Sequence, residues 1–182
     1  MGKAIGMAEY KTVSAGIFAA DAMVKTSDVN IIEAQTVCPG KYIVIIEGEL
    51  SSVRAAVDTA KKTYPEQLID NFVLGNPDPS IFPAIYGVTV VEELKSLGII
   101  ETYDAAAIIV AADMAAKTAD VKLIEIRLAR GMCGKSYLLI TGEIAAVTAA
   151  IEKAKSSVQK GGMFLDSSVI ARPDAKISKA IL

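Results

Sequence analysis

The chain has 182 residues, with 19 Lys and Arg against 21 Asp and Glu for a net charge of −2, and 52% of it is hydrophobic. That balance gives no electrostatic reason to expect nucleic acid or an anionic membrane as partner, and the apolar content argues against disorder. There is no histidine, which removes the commonest general base, the commonest zinc ligand and every Ser-His or Cys-His nucleophile pair, and so argues against ordinary hydrolase chemistry; the expectation is a non-enzyme.

Residues 4–10 alternate well enough for a strand, and 12–26 carry a helical pattern with Thr12 as N-cap. Residues 29–37 and 41–47 are β-branched runs separated by the turn signal Cys38-Pro39-Gly40. A second amphipathic helix is predicted over 51–62, then a strand over 69–74 that stops before Pro77. Residues 79–95 hold a short helix or two and cross into a second copy of the same pattern.

That second copy is legible residue by residue. At an offset of 92, Gly6, Glu9, Asp21, Lys25 and Asp28 fall on Gly98, Glu101, Asp113, Lys117 and Asp120. The offset becomes 94 where Gly40-Lys41 falls on Gly134-Lys135, and 96 where Asp70, Pro77 and Asp78 fall on Asp166, Pro173 and Asp174. Each change predicts a two-residue insertion in a loop of the second copy, one before Gly134 and one near Lys160-Gly161-Gly162. The chain therefore divides into two homologous domains, 1–91 and 92–182. Each has the order β-α-β-β-α-β, an α+β fold of the split βαβ or ferredoxin-like kind. Both helices are expected on one face of an antiparallel sheet, which leaves the other face to solvent or partners.

Cys38 and Cys133 are too few for a disulfide framework and suit a reducing cytosol. No N-terminal stretch has the order of a signal peptide. The longest apolar run, 105–112 between Asp104 and Asp113, falls far short of the ~20 residues of a membrane span. Gly134-Lys135-Ser136 imitates the end of a phosphate-binding loop, but Ala129 stands where that loop requires Gly and a strand follows where it requires a helix. It reads as a hairpin turn.

Three stretches carry a family resemblance: Ala4-Ile5-Gly6-Met7-Ala8-Glu9, Ala20-Asp21-Ala22-Met23-Val24-Lys25 and Val169-Ile170-Ala171-Arg172-Pro173. Together they resemble the shell-protein domain of bacterial microcompartments, twice and over nearly the whole chain. The resemblance implies a homotrimer that imitates a hexamer, tiling with other shell proteins in a microcompartment shell in the cytoplasm. The unpermuted tandem pair with Val37-Cys38-Pro39-Gly40-Lys41 narrows it to tandem shell proteins of propanediol-utilisation compartments, which carry an iron–sulfur cluster at a central pore. It makes Lys25, Lys117 and Arg172 edge residues that pack against a neighbouring tile. A cation at a helix C-terminus also suits the helix dipole, so the two lysines have a plain reading as solvated helix ends. The first copy departs from the pattern, with Asn76 at the place of Arg172.

A lone Cys is ordinarily a small buried residue or an incidental thiol. With two Cys, no His and no C-x-x-C spacing, one chain cannot ligate a cluster that takes four thiolates. The implied three-fold axis changes the count. Three Cys38 thiolates would hold three irons of one [4Fe–4S] cluster per trimer, the fourth iron taking a non-protein ligand, with Pro39 and Gly40 shaping the turn. Cys133, in the longer turn Gly131-Met132-Cys133-Gly134, is a secondary candidate. The implied function is a shell subunit that passes electrons across the barrier, with a redox enzyme of the compartment as a further partner. A plain pore for small polar metabolites stays open as an alternative. So does a trimeric ferredoxin-like metabolite sensor, although such sensors extend a long loop where this chain has a short turn.

Overall fold

The computed structural model describes residues 3–181, in two compact units, Met1–Pro77 and Asp78–Leu182. The first unit runs β1 (Lys3–Tyr10), α1 (Val13–Thr26), β2 (Val29–Val37), β3 (Lys41–Glu49), α2 (Leu50–Thr63) and β4 (Leu68–Gly75). Its strands pair in the order β2-β3-β1-β4, each neighbour antiparallel. Alternation along β1 turns Ala4, Ala8 and Tyr10 toward the helices, where they pack with Ala15, Ala19 and Met23 of α1 and Val53, Ala56 and Ala60 of α2. Gly6 marks the closest approach: a Cβ there would lie 2.7 Å from Val53 and 2.8 Å from Val57.

The second unit begins with α3 (Ile81–Tyr86) and then repeats the plan as β5 (Leu97–Thr102), α4 (Ala105–Thr118), β6 (Val121–Arg127), β7 (Ser136–Gly142), α5 (Ile144–Gln159) and β8 (Phe164–Ile170). A last helix, α6 (Ala175–Ile181), follows. The sheet order β6-β7-β5-β8 is the order of the first unit, and Gly98 repeats the close approach, with Val147 at 2.7 Å and Ile151 at 2.9 Å from its missing Cβ. Both sheets also share a bulge, at Ile32 and at Ile124, where β2 slips against β3 and β6 against β7. The α+β, βαββαβ plan predicted from sequence is thus present twice. The unit boundary at Pro77 lies ahead of the 91/92 division drawn from the repeat, and α3, with Ile81, Ala84 and Ile85 buried, belongs to the second unit.

Three local expectations change. The insertion near Lys160 is not in a loop: α5 has 16 residues against 14 in α2, so the extra residues extend the helix and bury Val158. Thr12 stands at the N-cap of α1 without a side-chain bond, whereas Asp104 caps α4 by accepting from Ala107 N at 2.6 Å. The sheet face away from the helices is also not open. On it Ile5, Met7, Ile43 and Ile45 are fully buried, and in the second unit Leu97, Ile124 and Leu139 form a cluster covered by Val91, Leu94 and Ile181. Sequence alternation marks such a face as apolar only when every residue of it is counted, and in β1 and β3 apolar residues stand on both faces. Among the described residues no helix is long and apolar enough to cross a membrane.

Candidate functional site

The hairpin β2–β3 stays paired down to Val37 and Lys41, and Cys38-Pro39-Gly40 closes it. Gly40 N donates to Val37 O at 3.0 Å, and the Cys38–Pro39 peptide is cis. Gly40 has φ 87°, the left-handed region that glycine enters freely, with open space where a Cβ would point. Pro39 has no N–H and that of Gly40 is engaged within the turn, so these two residues set the backbone that presents Cys38. The Cys38 side chain is partly exposed.

Sequence reasoning missed the support behind this turn. Glu9 is 2% exposed and pairs with the ammonium of Lys41, the first residue of β3. Both project on the sheet face away from the helices. A buried carboxylate is costly without a partner, so the pair ties the base of the turn to β1. The available signal was a single carboxylate closing the apolar run 4–8 of β1.

The corresponding loop of the second unit has other chemistry. Pairing ends at Arg127 and Tyr137, and the loop between β6 and β7 places Ala129, Gly131, Cys133 and Gly134 at φ 50°, 70°, 54° and 90°. Ser136 Oγ accepts from Ala129 N at 3.0 Å, so the Gly-Lys-Ser stretch closes a turn. Cys133 is exposed. At the loop's base Glu125 accepts from Arg127 Nε at 2.6 Å and from Tyr137 OH at 2.9 Å, and the guanidinium lies over the Tyr137 ring, 5.7 Å from its centre. The bond to Glu125 raises the guanidinium's pKa, while burial, reinforced by Glu125, pushes the Tyr137 phenol up.

A soft thiolate suits iron, but Cys38 is one ligand where a cluster takes four. No group of three His, Cys, Asp or Glu able to hold a metal occurs among the described residues. A metal at this turn would need ligands beyond those that the described residues bring together.

The edge candidates lie at helix and strand ends. Lys25 closes α1 with its Nζ 2.6 Å from Asp21, both well exposed. Lys117 repeats this with Asp113 at 2.7 Å, but Asp113 is 4% exposed and also accepts from Asp78 N at 2.8 Å. Arg172 follows β8 and is exposed. Its counterpart Asn76 has φ 53°, a conformation Asn tolerates better than Arg, which accounts for the departure in the first copy. A cleft of about 440 Å³ in the second unit, lined by Lys95, Lys122, Asp120 and Glu143 among others, takes in none of the predicted residues.

A family model described as the BMC domain matches residues 4–77 and again 96–173. The chain is 36% identical over 173 residues to the bacterial microcompartment shell protein PduT of Citrobacter freundii, covering 95% of this chain and 94% of that one. It is 27% identical over 176 residues to the carboxysome assembly protein CcmO of Synechocystis sp., covering 87% of this chain and 58% of the relative. A crystal structure of a microcompartment protein from Desulfitobacterium hafniense DCB superposes with a TM-score of 0.95 at 40% identity, over 98% of this chain and 99% of that one.

Proposed function

The chain belongs to the BMC-domain family of bacterial microcompartment shell proteins, and from that premise we propose a ring of three copies that carries one [4Fe–4S] cluster at its axis. Its place is the microcompartment shell within the cytoplasm, where it packs with other shell proteins. Three copies of a two-domain chain present six related domains, a pseudohexamer. The β2–β3 turns face the axis, and three Cys38 thiolates, carried on turns held by Glu9 and Lys41, supply three of the four iron ligands. Bound there, the cluster is a one-electron carrier at the pore, and a redox enzyme of the compartment is its exchange partner. Lys25, Lys117 and Arg172 lie at the tile edge.

The observation that carries this reading is the position of Cys38, part-exposed at the tip of a short, braced hairpin. The test is iron and sulfide counted per trimer in protein purified without oxygen, with electron paramagnetic resonance of the reduced form. Cys38→Ser should keep the trimer and lose the signal, because symmetry removes all three soft ligands at once; Cys133→Ser should keep both. Iron-free wild type after anaerobic reconstitution leaves a plain pore for small polar metabolites. A full signal in Cys38→Ser overturns the ligand assignment.

A further inference from the structure

The inter-repeat helix shows what a docked end looks like. α3 buries Ile81, Ala84 and Ile85 and packs on β6, the edge strand, and on α4. Just ahead of it, Asp78 N donates to Asp113 Oδ1 of α4. On those two elements Leu123, Ile126, Ile109 and Asp113 are buried, none more than 4% exposed. The repeat offset carries these positions to Ile31, Ala34, Ile17 and Asp21 of β2 and α1. There Ile31 is 44% and Ile17 53% exposed, and Ala34 and Asp21 are exposed as well. One unit has a covered stripe where the other has a bare one.

The missing cover has a counterpart in the sequence. At offset 96, Ile81, Ala84 and Ile85 fall on Ile177, Ala180 and Ile181 of α6, the same residue types at all three places that α3 buries. Pro77 and Asp78 likewise fall on Pro173 and Asp174. Asp174 already holds the arrangement of Asp78: its Oδ1 accepts from Lys176 N at 2.8 Å, as Asp78 Oδ1 accepts from Ser80 N at 2.9 Å. Yet α6 buries no residue: Ile177 is 48% exposed, and Ile181 rests partly exposed against the Leu97, Ile124 and Leu139 cluster of its own chain.

We propose that α6 of one copy docks on β2 and α1 of a second copy, in the way α3 docks on β6 and α4. Ile177 and Ala180 seat against Ile31 and Ile17, and Asp174 N donates to Asp21. Every domain is then followed by a helix seated on the next domain, a head-to-tail contact that closes into a ring when the rotation permits. The contact rests on the three-copy ring proposed above and supplies its junction; it does not depend on the cluster.

The test is solution mass against concentration for the full chain and for Ile177→Asp and Ile17→Asp, with Ile144→Asp, exposed but outside the surface, as control. Both surface variants should associate more than about tenfold more weakly than wild type with unchanged circular dichroism, and the control should assemble normally. Hydrogen exchange of the wild type gives a reading free of variants: amides of α6 and of β2 should gain protection together as the ring forms. A ring that persists in either variant, or whose α6 stays unprotected, overturns this junction while leaving the ring. So does a drop in the stability of the first unit with no change in mass, which would place α6 on β2 and α1 of its own chain. A wild type that is monomeric at all concentrations overturns the junction and the ring together.

Discussion

In the first repeat Gly16 of α1 lies beneath Tyr42 of β3, so close that a Cβ on Gly16 would stand 2.5 Å from the ring. In the second, the same two places hold Ile108 and Ser136, both fully buried. The bulk has changed sides of the gap, which is one way a duplicated domain keeps dense packing with different side chains. A similar exchange occurs at the end of the first strand. Tyr10 reaches across the core to donate its hydroxyl to Ala60 O at 2.6 Å, whereas Thr102 at the equivalent place bonds locally to Asp104 O at 2.7 Å. The two halves are one backbone plan filled by two side-chain solutions, and each exchange is a place where the likeness can be tested.

The largest effect is expected from breaking the Gly16–Tyr42 fit. Gly16→Ile should destabilise the chain by about 3 kcal/mol through overpacking, and Tyr42→Ser by about 3–4 kcal/mol through the cavity it leaves. The double variant imitates the second repeat and should cost at least about 2 kcal/mol less than the sum, read from urea unfolding by circular dichroism. Strict additivity would mean that the two positions do not share one gap.

At this pair of positions only Tyr10 carries a titratable group, since its counterpart is Thr102. Burial pushes its phenol up to about 12, against an ordinary 10. The fold holds the neutral form, so this contribution is complete below pH 10 and declines as pH rises from 10 through 12, by about 2–3 kcal/mol in all. Tyr10→Phe should remove the part of the decline that Tyr10 contributes, visible as a flatter stability profile across the same interval, while the raised Tyr137 phenol keeps its own share.

The two helix-end lysines should separate next. Lys117→Ala strips an ion pair from the buried Asp113 and is expected to cost about 1–3 kcal/mol, while Lys25→Ala, between exposed partners, should cost under about 0.5 kcal/mol. Equal effects in thermal unfolding would erase the distinction drawn from Asp113. The smallest contrast lies at the caps. Asp104→Ala should lose about 1 kcal/mol with its bond to Ala107 N, and Thr12→Ala only a few tenths, since Thr12 makes no such bond.

Much of this architecture is written in residue identity. The offsets that align Gly6 with Gly98 and Pro77 with Pro173 report the duplication directly, because glycine and proline stand where few other residues fit, one under a crossing helix and one after a strand. The strands, helices and the Cys38-Pro39-Gly40 turn follow from periodicity and turn chemistry, which act over a few residues. The Glu9–Lys41 pair was not legible, since strands far apart in sequence bring its members together. Nor was the route of the second insertion: a helix and a loop both accept two more residues, and α5 took them because Val158 found a place in the core. Likewise Lys25 and Lys117 look alike in sequence, as do the stripes around Ile17 and Ile109. Only the packing of α3 against α4 and β6 distinguishes them, because burial belongs to what lies opposite a side chain and not to the side chain itself.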